Sequence, residues 1–223
     1  MVRIPVRVAL PLISLTPLVW GCSTTPYFVA KDEPWRDQEE RACLASGAVR
    51  ESAFVRTRSA LGGPSVCGAA RPFEMAAALG GRVALDPPAM LRCPMIPQVD
   101  HWIAAAVDPA ARRHFGIPLA SLKVAASYSC RPMNNAFGAK LSEHGHANAL
   151  DVAAFILADG SRISVKEGWW GSERDRAFLR EVRAGACRDF TTVLSPDHDA
   201  NHRDHFHVDL ARHGRDGLNN ICK

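Results

Sequence analysis

The stretch "SEHGHANALDVAAFILADGSRISV", residues 142–165, decides the architecture of this chain. Its opening is polar, with His144 and His146 around Gly145. "ALDVAAFIL" (149–157) is then an apolar run interrupted only by Asp151, and it reads as a buried strand. "ADG" marks a turn and "SRISV" a returning strand, so the segment predicts a hairpin.

Working outward, "SLKVAASYSC" (121–130) is β-rich, and "RPMNNAFGAK" is a polar loop. "SERDRAFLREVRAGAC" (172–187) carries apolar residues at 177, 178, 179, 182 and 186, the spacing of a helix that buries one face. "FTTVLS" and "HFHVDLA" are the last strands. Upstream, "DEPWRDQEERACLASG" predicts a helix over 34–46, stopped by Gly47. "SAFVRTRS" is a short strand and "CGAARPFEM" a loop. "DPPAMLRCPMIPQVDHWIAAAVDPAARRHFG" reads as helices punctuated by Pro94, Pro97 and Pro109 and capped at Gly116. Helices followed by mostly antiparallel strands, with one helix inserted, make an α+β domain. The expectation is a small, mostly antiparallel sheet with the N-terminal helices packed against it.

Two segments carry chemistry. In "SEHGHANALD", His144 sits in a loop and Asp151 early in the strand, so a loop folding back brings both to one point. Gly145 is read as the source of the turn's freedom, and Ala147 and Ala149 permit close approach. In "NHRDHFHVDLA" (201–211) the strand period of two puts His205 and His207 on one face, with Phe206, Val208 and Leu210 on the core side. Two histidines and a carboxylate with one open position form the usual catalytic zinc set. Each segment alone is weak, since an H-x-H pair is common on surfaces. Asp209 reads as a structural hydrogen-bond partner. His146 and His202 read as surface residues, and His101, His114, His198 and His213 as solvated or structural. Trp169 and Trp170 either line a groove or cover the core.

The chain is 47% hydrophobic and 22% charged, with a net charge of +4. That charge is too small, and too scattered, for a nucleic-acid-binding surface. "MVRIPVRVALPLISLTPLVWGC" has the layout of a bacterial secretion signal over 1–21, ending at Gly21-Cys22. Cys22 is then the lipidated first residue of an exported lipoprotein, and an uncleaved anchor helix is the alternative. Residues 22–36 read as a tether and 37–223 as the domain, with a metal-binding core about 119–212. Cys43, Cys67, Cys93, Cys130, Cys187 and Cys222 remain, an even number suited to disulfides in an oxidising compartment, with the pairing open.

"SEHGHANALD" resembles the S-x-H-x-x-x-x-A-x-D pattern of zinc peptidases that include D-Ala-D-Ala dipeptidases and carboxypeptidases, lysostaphin-like enzymes and the hedgehog fold. Ala147 stands where those proteins carry glycine. "DHFH" resembles their acid-x-x-His element. More closely, "SYSCRPMN", "SEHGHANALDVAAFILADG", "ACRDFTTVLSPDHDANHRDHFHVDLA" and "LDPPAMLRCPM" resemble the bacterial extensin-like C-terminal domain proteins, over roughly residues 43–222.

The resemblance implies one zinc ion held by His144, Asp151 and His207, with Asp204 as the base that activates water. Arg131 would stabilise an oxyanion or hold a substrate carboxylate, unless it pairs with a structural carboxylate. His205 would support the site or share the base role. Ser142 and Trp169 are candidate substrate contacts. The implied activity is hydrolysis of an amide in peptidoglycan peptide stems by a periplasmic, outer-membrane-anchored lipoprotein with no nucleic-acid partner. The alternatives are a non-catalytic peptidoglycan binder and a metal-dependent nuclease.

Overall fold

The computed structural model describes residues 27–223, so the expected signal segment and Cys22 lie outside the described residues. The chain folds as α+β around a mixed nine-stranded sheet. Helix α1 spans Pro34–Ser46, with proline at its first turn and Gly47 in the left-handed conformation at its end. Then come β1 (Val55–Thr57), β2 (Leu61–Gly62), β3 (Gly68–Ala69), β4 (Phe73–Ala78) and β5 (Val83–Leu91). Helix α2 (Met95–Trp102) runs through one wide turn, Ile103–Val107, into α3 (Asp108–Phe115). Strand β6 (Leu119–Ala126) leads by a long loop to β7 (Ala149–Leu157) and β8 (Arg162–Ser164). Helices α4 (Val165–Gly168) and α5 (Glu173–Asp189) precede β9 (Thr192–Leu194), β10 (Phe206–Asp209) and β11 (Ile221–Cys222).

The main sheet has the order β1-β4-β5-β6-β7-β10-β9-β11, with β8 paired to β7, while β2 and β3 form a separate ribbon. Most pairs are antiparallel, but β5–β6 and β9–β11 are parallel. The sheet is therefore larger than expected. Residues 73–75, read as loop, begin β4, and residues 86–91, read as the start of helices, belong to β5. Pro87 and Pro88 disguised β5, because proline argues against a central strand. Its ladder to β4 pairs Ala84 and Val83, then Ala89 to Leu91, and jumps register between Met75 and Ala77. The prolines fall in that gap, where no ladder N–H is required.

The helices cover one face. Trp102, Phe155, Phe178, Phe190 and Phe206 are fully buried there, and the Trp102 indole N–H donates to the Val182 carbonyl at 3.1 Å, tying α2 to α5. Three disulfides, Cys43–Cys93, Cys67–Cys130 and Cys187–Cys222, pair all the cysteines of the described residues. The stretch expected to be a tether is ordered from Tyr27 onward: Phe28 is buried, and Val29 bridges Lys140 in parallel. No helix of the described residues is long and apolar enough to cross a membrane.

Candidate metal centre and cleft

Along β7, Leu150 and Val152 enter the core, so strand alternation turns Asp151 to the opposite face. Along β10, Phe206 and Val208 enter the core, and His205, His207 and Asp209 take the other side. The register pairs His207 directly with Asp151. His144 arrives from a short 3₁₀ turn, Glu143–His146, that feeds β7. Its last step places Ala147 at φ 51°, ψ 29°. The residue at the glycine position of the zinc-peptidase pattern thus does adopt a left-handed conformation, at the cost that a Cβ incurs there. Gly145 has another reason to be glycine. A Cβ there would lie 2.6 Å from Leu141 Cδ1, so any larger residue would have to displace the Leu141 side chain, and no special backbone angle is involved.

His144, Asp151 and His207 converge. His144 Nε2 lies 3.2 Å from His207 Nδ1 and 3.1 Å from Asp151 Oδ2. His207 Nδ1 lies 2.8 Å from Asp151 Oδ1. Ligand bonds of 2.0–2.1 Å give a tetrahedral zinc site edges of about 3.3 Å, so these separations are nearly those of one tetrahedral face. The opposite ring nitrogens are both engaged. His144 Nδ1 donates to the Ser127 carbonyl at 2.5 Å, and His207 Nε2 donates to Asp209 Oδ2 at 2.9 Å. These bonds occupy the far ring nitrogens, so His144 Nε2 and His207 Nδ1 are the atoms that face the Asp151 carboxylate. Two imidazoles and a carboxylate this close and this buried call for a positive charge among them.

The smallest such cation is a proton. Burial favours neutral His207, but Asp151 and Asp209 outweigh it and push the ring up to about 10. Burial alone would raise Asp151, yet hydrogen bonds from His144 and His207 hold it far below the ordinary carboxylate range. Asp209 is likewise lowered against burial by His207. The set of two imidazoles and a carboxylate suits zinc, and a divalent ion would take the place of that proton.

The triad opens into a cleft of about 670 Å³, which Arg131, Ser142 and His205 also line. The bridge Pro132–Leu141 and the Ser142 N–H to the Arg131 carbonyl, 3.0 Å, set Arg131 and Ser142 side by side. Arg131 has no ion pair among the described residues, so the structural pairing considered for it finds no partner. Asp204 is not a lining residue. Its side chain is 62% exposed and its carboxylate accepts from His205 Nδ1 at 2.8 Å. His205 Nε2 faces inward, 3.6 Å from Asp151 Oδ2. Trp169 is fully buried, packs edge-to-face on Phe206 and donates its indole N–H to Asp197. It covers the core, and the groove role considered for it does not hold.

Asp209, read as a structural hydrogen-bond partner, is one: it accepts from His207 and from the Ala211 N–H. One feature was not expected from the sequence. It is a brace from α1. Arg36 makes a two-pronged ion pair with Glu143, at 2.6 and 2.5 Å, next to His144. Asn148 also donates to Glu143, and Arg92 pairs with Glu40 beneath. Burial, with Arg36 and Arg92 nearby, holds His146 down at about 4, so it is neutral at physiological pH.

Comparison with curated proteins and with solved structures finds no match. The family model described as extensin-like protein C-terminus matches residues 41–223, nearly all of the described fold and every residue of the triad. The chain therefore belongs to the extensin-like protein C-terminus family.

Proposed function

We propose that this protein is a zinc-dependent peptidase that hydrolyses an amide in the peptide stem of peptidoglycan, and that it belongs to the wider group of zinc peptidases its motifs resemble. One observation carries the reading: His144, Asp151 and His207 converge three candidate ligand atoms on a single buried point, with both rings pinned from behind. A zinc ion held by these residues would polarise a carbonyl and bring the pKa of water toward neutrality.

The remaining roles fall to the chain's own side chains. His205 is the base best placed to take a proton from the attacking water, because Asp204 holds its Nδ1–H and leaves Nε2 facing the triad. The same imidazole then returns the proton to the departing amine. Arg131, in the cleft wall and without an ion pair among the described residues, binds the carboxylate of the peptide or the developing oxyanion. Ser142 sits within reach of the same substrate segment. The substrate class rests on the secretion-type N-terminus and on the resemblance; the donor set alone would serve almost any amide. The same N-terminus supports a periplasmic site of action with lipidation at Cys22.

Two measurements test this. Purified protein should carry one tightly bound zinc per chain, reduced well below one by His144→Ala, Asp151→Ala or His207→Ala. Mass spectrometry of digested sacculi should show shortened or released stem peptides. Full zinc in all three variants would refute the ligand set. Sacculi that bind the zinc-loaded protein but yield no products would make it a binding protein.

A further inference from the structure

We propose a second metal site on the wall of the same cleft, formed by His198, Asp199 and His202. These residues lie on the loop between β9 and β10, and their candidate ligand atoms all fall within 4.8 Å of one another. His198 Nε2 is 3.4 Å from Asp199 Oδ2, and His202 Nδ1 is 2.7 Å from Asp199 Oδ1. The first matches the edge of about 3.3 Å of a tetrahedral site with 2.0–2.1 Å bonds; the second is a hydrogen bond that would lengthen by about 0.6 Å when an ion replaces its proton.

The loop is held in shape without the ion. The Ser195 N–H donates to the Lys223 carbonyl at 2.8 Å and the His198 N–H to the Ser195 carbonyl at 2.8 Å. The Asn201 N–H donates to Asp199 Oδ1 at 2.8 Å. A preformed loop spares the entropy of gathering ligands. The site is distinct from the triad, since it shares no residue with it. It is also close: the His202 ring centre lies 5.3 Å from that of His205 and 5.9 Å from that of His207.

The donor set identifies the class of ion. Two imidazoles and one carboxylate suit zinc, nickel or copper and disfavour calcium and magnesium, which take all-oxygen shells. All three residues line the cleft, so open coordination positions face the space where substrate would lie. Binding there is weaker than at the triad. Each triad ring is backed by an acceptor on its far nitrogen, and such support is worth about 10–100-fold in affinity. Among the described residues, neither His198 nor His202 has that support.

The test is zinc titration of the full folded domain against a chromophoric chelator, with metal content read by mass spectrometry. Wild-type protein should take up two equivalents, the second about 10–100-fold weaker than the first. His198→Ala, on the exposed side of the loop, and His198→Ala with His202→Gln should lose the weak equivalent and keep the tight one. His144→Ala should lose the tight equivalent and keep the weak one. This outcome separates the second site from the catalytic reading, because either equivalent can fail alone. A wild-type protein that binds only one equivalent overturns the proposal, as does a double variant that keeps the weak one.

Discussion

Replacing Asp209 by Asn tests the logic of the metal centre without removing any ligand. The carboxylate accepts two hydrogen bonds in opposite directions. Oδ1 takes the Ala211 N–H at 2.9 Å, and Oδ2 takes His207 Nε2–H at 2.9 Å. Asparagine has the same shape but only one acceptor. If its oxygen satisfies Ala211, its NH₂ faces a ring N–H, and the two donors repel. Relief comes when His207 shifts its proton to Nδ1, the atom aimed at His144 and Asp151. The variant thus blocks the lone pair that the metal needs and also removes a negative charge. Loss of such support costs about 10–100-fold in metal affinity, or about 1.4–2.7 kcal/mol. Competition titration with a chromophoric chelator reads that change. A urea midpoint near that of wild type confirms that the fold persists. A folded Asp209→Asn that binds zinc within about threefold of wild type would refute the argument that Asp209 sets the tautomer.

Other expectations follow from the same geometry. His207, raised from 6.5 to about 10, gives up a proton to a metal, so zinc affinity should rise by about tenfold per pH unit between pH 7 and 9, as a titration series would show. In chelator-treated protein the raised His207 contributes stability fully present below 6.5 and lost as pH climbs through about 10. The melting temperature should therefore fall over that window. Arg36→Ala leaves Glu143 without its buried partner and should cost about 3 kcal/mol in urea unfolding. Replacing Cys43 and Cys93 together by Ala unties α1 from the start of α2 and should cost about 2–5 kcal/mol in the same assay. If the peptidase reading holds, His205→Gln should keep zinc and lose about 10²–10⁴-fold in stem-peptide hydrolysis, with Asp204→Asn less damaging. Equal loss in both variants would place the base at Asp204.

Much of this was legible locally. Gly47 and Gly116 end helices because each is left-handed there, and a glycine after an amphipathic run is a signal that the sequence carries openly. The hairpin β7–β8 followed from one apolar run and one turn. The strand β5 did not, since its two prolines suppress the local strand signal and only the register jump in β4 makes room for them. Disulfide pairing was hidden for a different reason. Separations of 35 to 63 residues leave many closures sterically open until the sheet order is known.

The site divides the same way. A period of two puts residues 205, 207 and 209 on one side of β10, and that count alone groups His205, His207 and Asp209. It also sends Asp204 to the other side. Asp204, three residues before the proposed ligand His207, was the expected base; from the outer side it touches the ring of His205, whose Nε2 faces Asp151. What no local period encodes is which strand lies beside β10. His207 meets Asp151 because β7 and β10 are neighbours in a fixed register, although 56 residues separate the pair. That register is set by the core side of the same strands, where Phe206 packs on Phe155 and Trp169. A one-residue slip would put Phe206 in the cleft and His207 in the core. The apolar face thus holds the candidate metal centre in alignment: residues outside the triad decide that His144, Asp151 and His207 meet.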